Sequence, residues 1–139
     1  AMAAESVIVL NGDRVQGVDF LRKTSMQLAS KMRFLSAQFV AMLTDDLWLR
    51  SARHANAMAS RLHNGVGDLS GVTITQSVDA NAVFVLLPEQ VASHLQERFH
   101  FYTWDQATGE VRWMCAWDTT ESDVDDFVAA VRAEIASGA

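Results

Sequence analysis

The chain has 139 residues, half of them hydrophobic and 20% charged, a balance that suits a folded soluble domain rather than a disordered segment. Acidic residues outnumber basic ones 17 to 11 for a formal charge of −6, and no basic stripe runs along the chain, which argues against a nucleic-acid partner. The longest apolar run, "AVFVLLP", is too short to span a membrane.

The single cysteine, Cys115, excludes an internal disulfide and points to a reducing, cytoplasmic setting. The opening "AMAAES" lacks the charged-then-apolar order of a secretory signal and reads as a cloning remnant.

In chain order, "SVIVL" (6–10) is a short, continuously apolar run, the pattern of a strand buried on both faces, and "NGD" after it signals a turn. One such strand has no sheet of its own in this stretch. From Val18 to Leu43, apolar residues recur at spacings of three, four and seven. This predicts one helix of roughly 25 residues, about 38 Å long, suited to bridging two bodies or lining an oligomer contact. "TDD" (44–46) is placed to cap a second helix whose apolar face carries Leu47, Trp48, Ala52, Ala55, Ala59 and Leu62 and which ends near Asn64 and Gly65.

After Gly65 the grammar changes. "GVTITQ" (71–76) and "NAVFVLLP" (81–88) read as strands, and "EQVASHLQERF" from Glu89 as a helix. "FHFYTW" from Phe99 and "EVRWMCAW" from Glu110 read as strands joined by the Gly-containing loop "DQATG" (105–109). Thr120 with Asp123 three residues on forms a capping-box start for a last helix bearing Val124, Phe127, Val128, Val131 and Ile135 on one face. The expectation is a compact α+β layer, helices on one face of a small, mostly antiparallel sheet. The boundary falls at 43/44, with residues 44–139 forming the small domain.

Strand alternation puts Val111, Trp113, Cys115 and Trp117 on one side of the last strand and Glu110, Arg112, Met114 and Ala116 on the other. A permanent cation among apolar neighbours suits two-pronged recognition of a carboxylate or phosphate. It equally suits a cross-strand ion pair, or a stem lying over the sheet with its head in water. His54, inside the second helix, is read as exposed or internally satisfied rather than as a base. Cys115 is read as an inert packing residue, and Trp104, Trp113 and Trp117 as filling the core between sheet and helices.

"QLASKMRFLSAQFVAMLTDDLWLRSARHANAMASRL" (27–62), "ANAVFVLLP" and "GEVRWMCAWDTTESDVDDF" together closely resemble the C-terminal part of bacterial low-specificity L-threonine aldolases, of the β-eliminating lyase group of fold type I pyridoxal-phosphate enzymes. The resemblance runs from "VIVLN" to the last helix. It implies an α/β enzyme that cleaves threonine or allo-threonine to glycine and acetaldehyde, with pyridoxal phosphate as electron sink. It also implies a small β-hydroxy amino acid as substrate and a homo-oligomeric assembly.

Residue by residue, the resemblance assigns Arg112 to the substrate's α-carboxylate and Arg33, in "KMRF", to the cofactor phosphate. It supplies no catalytic residue and no metal ligand in this chain. The lysine that carries the cofactor in such enzymes sits in a loop upstream of the "VIVL" strand. The only lysines here, Lys23 and Lys31, lie on the predicted long helix, so the chain alone is expected to be inactive. The competing reading is a free-standing, non-catalytic α+β module that self-associates or binds small carboxylates.

Overall fold

The computed structural model describes residues 3–138. The chain divides into two compact units, Ala1–Trp48 and Leu49–Ala139.

In the first unit, a 3-10 turn at Gly12–Arg14 precedes helix α1 (Val18–Thr24) and helix α2 (Met32–Leu43). Neither helix has a buried residue. The single long helix expected over 18–43 is therefore interrupted between 25 and 31. The reason is local. Met26 takes a left-handed φ of 54°, its N–H bonds to the Lys23 carbonyl at 3.1 Å, and the Gln27 N–H bonds to the Arg22 carbonyl at 3.0 Å. That is the double-bonded Schellman stop, built here without glycine. The Thr24 hydroxyl adds a bond to the Phe20 carbonyl at 2.6 Å, competing with helix continuation.

Residues 6–10 form no strand either: Val7 is 90% exposed and Leu10 96%. A strand apolar on both faces needs ladder partners on both edges. Among the described residues, the sheet lies within 73–114 and pairs with none of them.

A second 3-10 turn at Thr44–Asp46 carries Asp45 at φ 50° and Asp46 at φ 55°. The Thr44 hydroxyl donates back to the Val40 carbonyl at 2.6 Å, so it closes α2 instead of capping the helix that follows. That helix, α3, runs from Leu47 to Val66.

The second unit holds the rest of α3, a four-stranded sheet and two more helices. The strands are β1 (Thr73–Ile74), β2 (Ala82–Leu86), β3 (Tyr102–Asp105) and β4 (Glu110–Met114). Helix α4 (Glu89–Gln96) follows β2, and α5 (Glu121–Ala136) closes the chain. Strand order is β1-β2-β4-β3, antiparallel throughout, where a mostly antiparallel sheet was expected.

Val83, Val85, Val111, Trp113 and Cys115 are buried on one side of this sheet and share one core with Met58, Ala59, Leu62 and Val66 of α3, Val91 and Leu95 of α4, and Val124 and Val131 of α5. Phe127 anchors an aromatic group there, edge-to-face with Phe99, Phe101 and Trp113 at centroid distances of 4.9 to 6.1 Å. Helix α3 thus adds a third helix to the layer. The capping box at α5 forms as expected: the Asp123 N–H donates to the Thr120 hydroxyl at 3.1 Å and the Thr120 N–H to the Asp123 carboxylate at 2.8 Å.

Two tryptophans depart from the expected core. The strand ends at Met114, and a turn follows in which the Ala116 N–H donates to the Thr119 hydroxyl at 2.8 Å. Trp117 rides on that turn and is 69% exposed. Trp104 stands on the side of the sheet away from the helices and is 53% exposed.

Candidate functional site

With one side of the sheet covered by helices, the other is left to its own side chains. Antiparallel pairing sets Phe84 of β2, Arg112 of β4 and Tyr102 of β3 in one row across three strands. Met114 follows on the same side, and Glu110 precedes. Trp104, two residues on from Tyr102, shares this side by strand alternation, and β3 also slips in register here. Thr103 opposes Val111 while Asp105 opposes Glu110, so β3 spends one residue more than β4 over this step, and that residue is Trp104.

The indole then lies over the Arg112 guanidinium, whose carbon is 4.4 Å from the ring centroid. Phe84 packs edge-on against the same indole at 5.5 Å. Arg112 therefore sits half-buried between aromatic groups. Its guanidinium makes no ion pair or hydrogen bond among the described residues, and its Nε is buried without a partner. A buried donor left unmade on a charged group is costly, typically about 1–3 kcal/mol. The expected alternative of a cross-strand ion pair is not found among the described residues, and the nearby Glu110 carboxylate accepts instead from the hydroxyl of Thr75, just past β1 on the far side of β2. What the face offers chemically is an unspent, always-charged fork in an aromatic frame, the arrangement that receives a planar anion.

The other expected sites fall elsewhere. Arg33 is exposed in the first turn of α2, where the positive end of the helix dipole also favours an anion. Lys23 and Lys31 are both exposed. His54 is spoken for: its Nε2–H donates to the Thr119 carbonyl at 2.7 Å. Cys115 is 3% exposed, and burial pushes its thiol pKa up, so it is a packing residue. An open cleft of about 350 Å³ at the end of β4, bounded by Ser51, Asn81, Met114 and Trp117, contains no charged side chain. Among the described residues no three His, Cys, Asp or Glu side chains converge as a metal site, and no helix is long and apolar enough to cross a membrane.

Trp104 and Phe84 escaped the sequence reading as site residues. The one signal was that Tyr102 and Trp104 alternate with Thr103 and so share a side; which cation that side carries opposite them depends on the pairing with β4, which has no sequence signature.

No family model matches the chain. It is 41% identical over 130 residues to the low-specificity L-threonine aldolase of Pseudomonas sp. (strain NCIMB 10558), and 41% identical over 129 residues to the low-specificity L-threonine aldolase of Pseudomonas aeruginosa. Along 93% of its length, this chain resembles threonine aldolases. It spans 37% of the length of each of those relatives. Among solved structures, the threonine aldolase of Leishmania major superposes on 90% of this chain with a TM-score of 0.75 at 25% identity, using 37% of its own length. The aminotransferase TlmJ from Streptoalloteichus hindustanus shares the fold over 76% of this chain, with a TM-score of 0.54 at 15% identity. The threonine aldolase likeness thus covers both units, and the α/β class that the resemblance implied, with its small antiparallel sheet, holds.

Proposed function

We propose that this chain is the C-terminal portion of a pyridoxal-phosphate-dependent L-threonine aldolase, which cleaves L-threonine or L-allo-threonine to glycine and acetaldehyde. The observation that carries the reading is the 41% identity across almost the whole chain, joined to an arginine whose guanidinium makes no ion pair or hydrogen bond among the described residues. Arg112 holds the substrate α-carboxylate end-on, with two parallel N–H donors and its positive charge. Arg33, helped by the N-terminus of α2, meets the cofactor phosphate. When bound, pyridoxal phosphate supplies the electron sink that makes the carbon–carbon bond cleavable.

Neither Lys23 nor Lys31 offers the enclosed setting that lowers a lysine pKa and makes its amine nucleophilic, so the covalent anchor of the cofactor belongs to further polypeptide. The working enzyme is a cytoplasmic homo-oligomer, and this chain by itself does not catalyse the reaction. The self-contained core of the second unit favours, as a second reading, an independent module that binds small carboxylates.

Arg112→Lys in the longer enzyme separates these. Loss of the fork is expected to raise KM for threonine by about tenfold or more, the scale of a charge-assisted two-pronged contact. An unchanged KM would remove Arg112 from substrate binding. A spectrum of this chain with pyridoxal phosphate, read before and after dialysis, is expected to return to that of bare protein; a retained cofactor band would place an anchor at Lys23 or Lys31.

A further inference from the structure

Arg112 is a long, flexible side chain, and a receptor for a planar anion needs its fork held in one plane before the ligand arrives. On this sheet the holding group is aromatic. The Trp104 ring lies over the guanidinium at 4.4 Å, and Phe84 braces the indole edge-on at 5.5 Å. A guanidinium held against an aromatic ring through its face keeps its in-plane N–H groups free to point outward, and the 4.4 Å Cζ–centroid distance suits such a contact. Nε is buried, so the end carrying Nη1 and Nη2 is the one that remains to meet an acceptor. Strand alternation from Tyr102, which opposes Arg112, sets Trp104 on the same side, and the register slip of β3 falls at this residue.

We infer that Trp104 is a positioning residue for Arg112, presetting the plane of the guanidinium so that its terminal amino groups present a fork to a carboxylate, with Phe84 as its brace. The inference rests on the reading of Arg112 as a carboxylate receptor. It assigns Trp104 no contact with the reacting atoms. Because an aromatic face is what holds the cation, another aromatic ring can stand in, whereas an aliphatic side chain of similar bulk cannot.

The test uses this chain, isotopically labelled, titrated with acetate at constant ionic strength made up with chloride, and followed by NMR at the Arg112 Nε–Hε group and the tryptophan indoles. Trp104→Ala and Trp104→Leu are expected to weaken acetate binding about three- to tenfold, the scale of a partly desolvated cation–π contact. Both should also increase the mobility of Nε–Hε, while Trp104→Phe retains most of the affinity. Trp104 is half-exposed near the sheet edge, so the leucine variant keeps the test alive if alanine disturbs the strand. If Trp104→Leu binds acetate as the unmodified chain does while Arg112→Gln abolishes binding, the positioning role is overturned and the carboxylate role stands. If the unmodified chain shows no acetate binding that Arg112→Gln removes, the carboxylate role falls and the positioning role falls with it.

Discussion

Arg61 grips Asp125 with two prongs: Nε and Nη2 each donate, at 2.8 Å, to a different oxygen of the carboxylate. The pair ties α3 to α5, and Arg61 Nη1 reaches Glu121 Oε2 at 3.1 Å beside it. The Arg61 hydrogen bond holds the Asp125 carboxyl below its ordinary pKa. A depressed carboxylate pKa contributes stability that is full above the unfolded value, about 3.9, and is lost as pH falls through the native value. Asp125→Asn is therefore expected to lower the urea midpoint at neutral pH, with the effect fading progressively as pH falls below about 3.9. A deficit that persists in acid would mean that the charge is not what the pair contributes. All three side chains are well exposed, so the effect should be small and should shrink with salt.

The same helices meet closely at Gly65. A Cβ placed there would lie 2.7 Å from Cγ2 of Val128, a stiff β-branched side chain. In an exposed helix, Gly to Ala stabilises by about 1 kcal/mol. Here Gly65→Ala should destabilise by about 1–3 kcal/mol, because α5 must retreat or Val128 must leave its rotamer. Pairing it with Val128→Ala should recover most of the helix benefit. Chemical denaturation of the single and double variants measures both signs.

Leu95 of α4 is 1% exposed at the centre of the shared core. Leu95→Ala is expected to cost about 2–5 kcal/mol through lost burial and the cavity left behind. Thr120→Ala, which removes only the cap of α5, should cost about 1 kcal/mol. Thermal or urea unfolding of the two variants gives the ranking, and a Thr120 loss equal to the Leu95 loss would mean that α5 depends on its cap more than on its packing.

Cys115 offers a probe of the same core. Its thiol is buried and its pKa is raised by that burial, so thiolate is scarce at neutral pH. Labelling by a thiol reagent is expected to be slow in the native protein and to follow the unfolded fraction through a urea titration. Rapid labelling without denaturant would mean that the cleft beside Met114 opens to the sulfur.

The alternation of Val111, Trp113 and Cys115 and the helical period of Ala59, Leu62, Val124 and Val131 were legible as core faces before any fold was known. Each states locally which side must leave water. So was the capping box of Thr120 and Asp123, three residues apart and closed by their own backbone. Arg112 was legible as a cation on the side of the strand away from that core. What periodicity could not carry were events decided by one residue's backbone or by another strand. Met26 stops a helix whose apolar spacing continues past it, since a left-handed φ leaves the pattern of side chains untouched. Trp117 keeps the alternation of β4 on paper and loses it to the turn closed by Thr119. The apolar run at 6–10 reads as a strand, but strand formation depends on a ladder partner, and none is present among the described residues. Trp104 lies on Arg112 across two paired strands, a relation that exists only once both are paired. The sequence by itself determined which faces are apolar, because hydrophobic burial is read residue by residue. The tertiary structure alone decided which charge lies beneath which ring, because that depends on the register between segments distant in the chain.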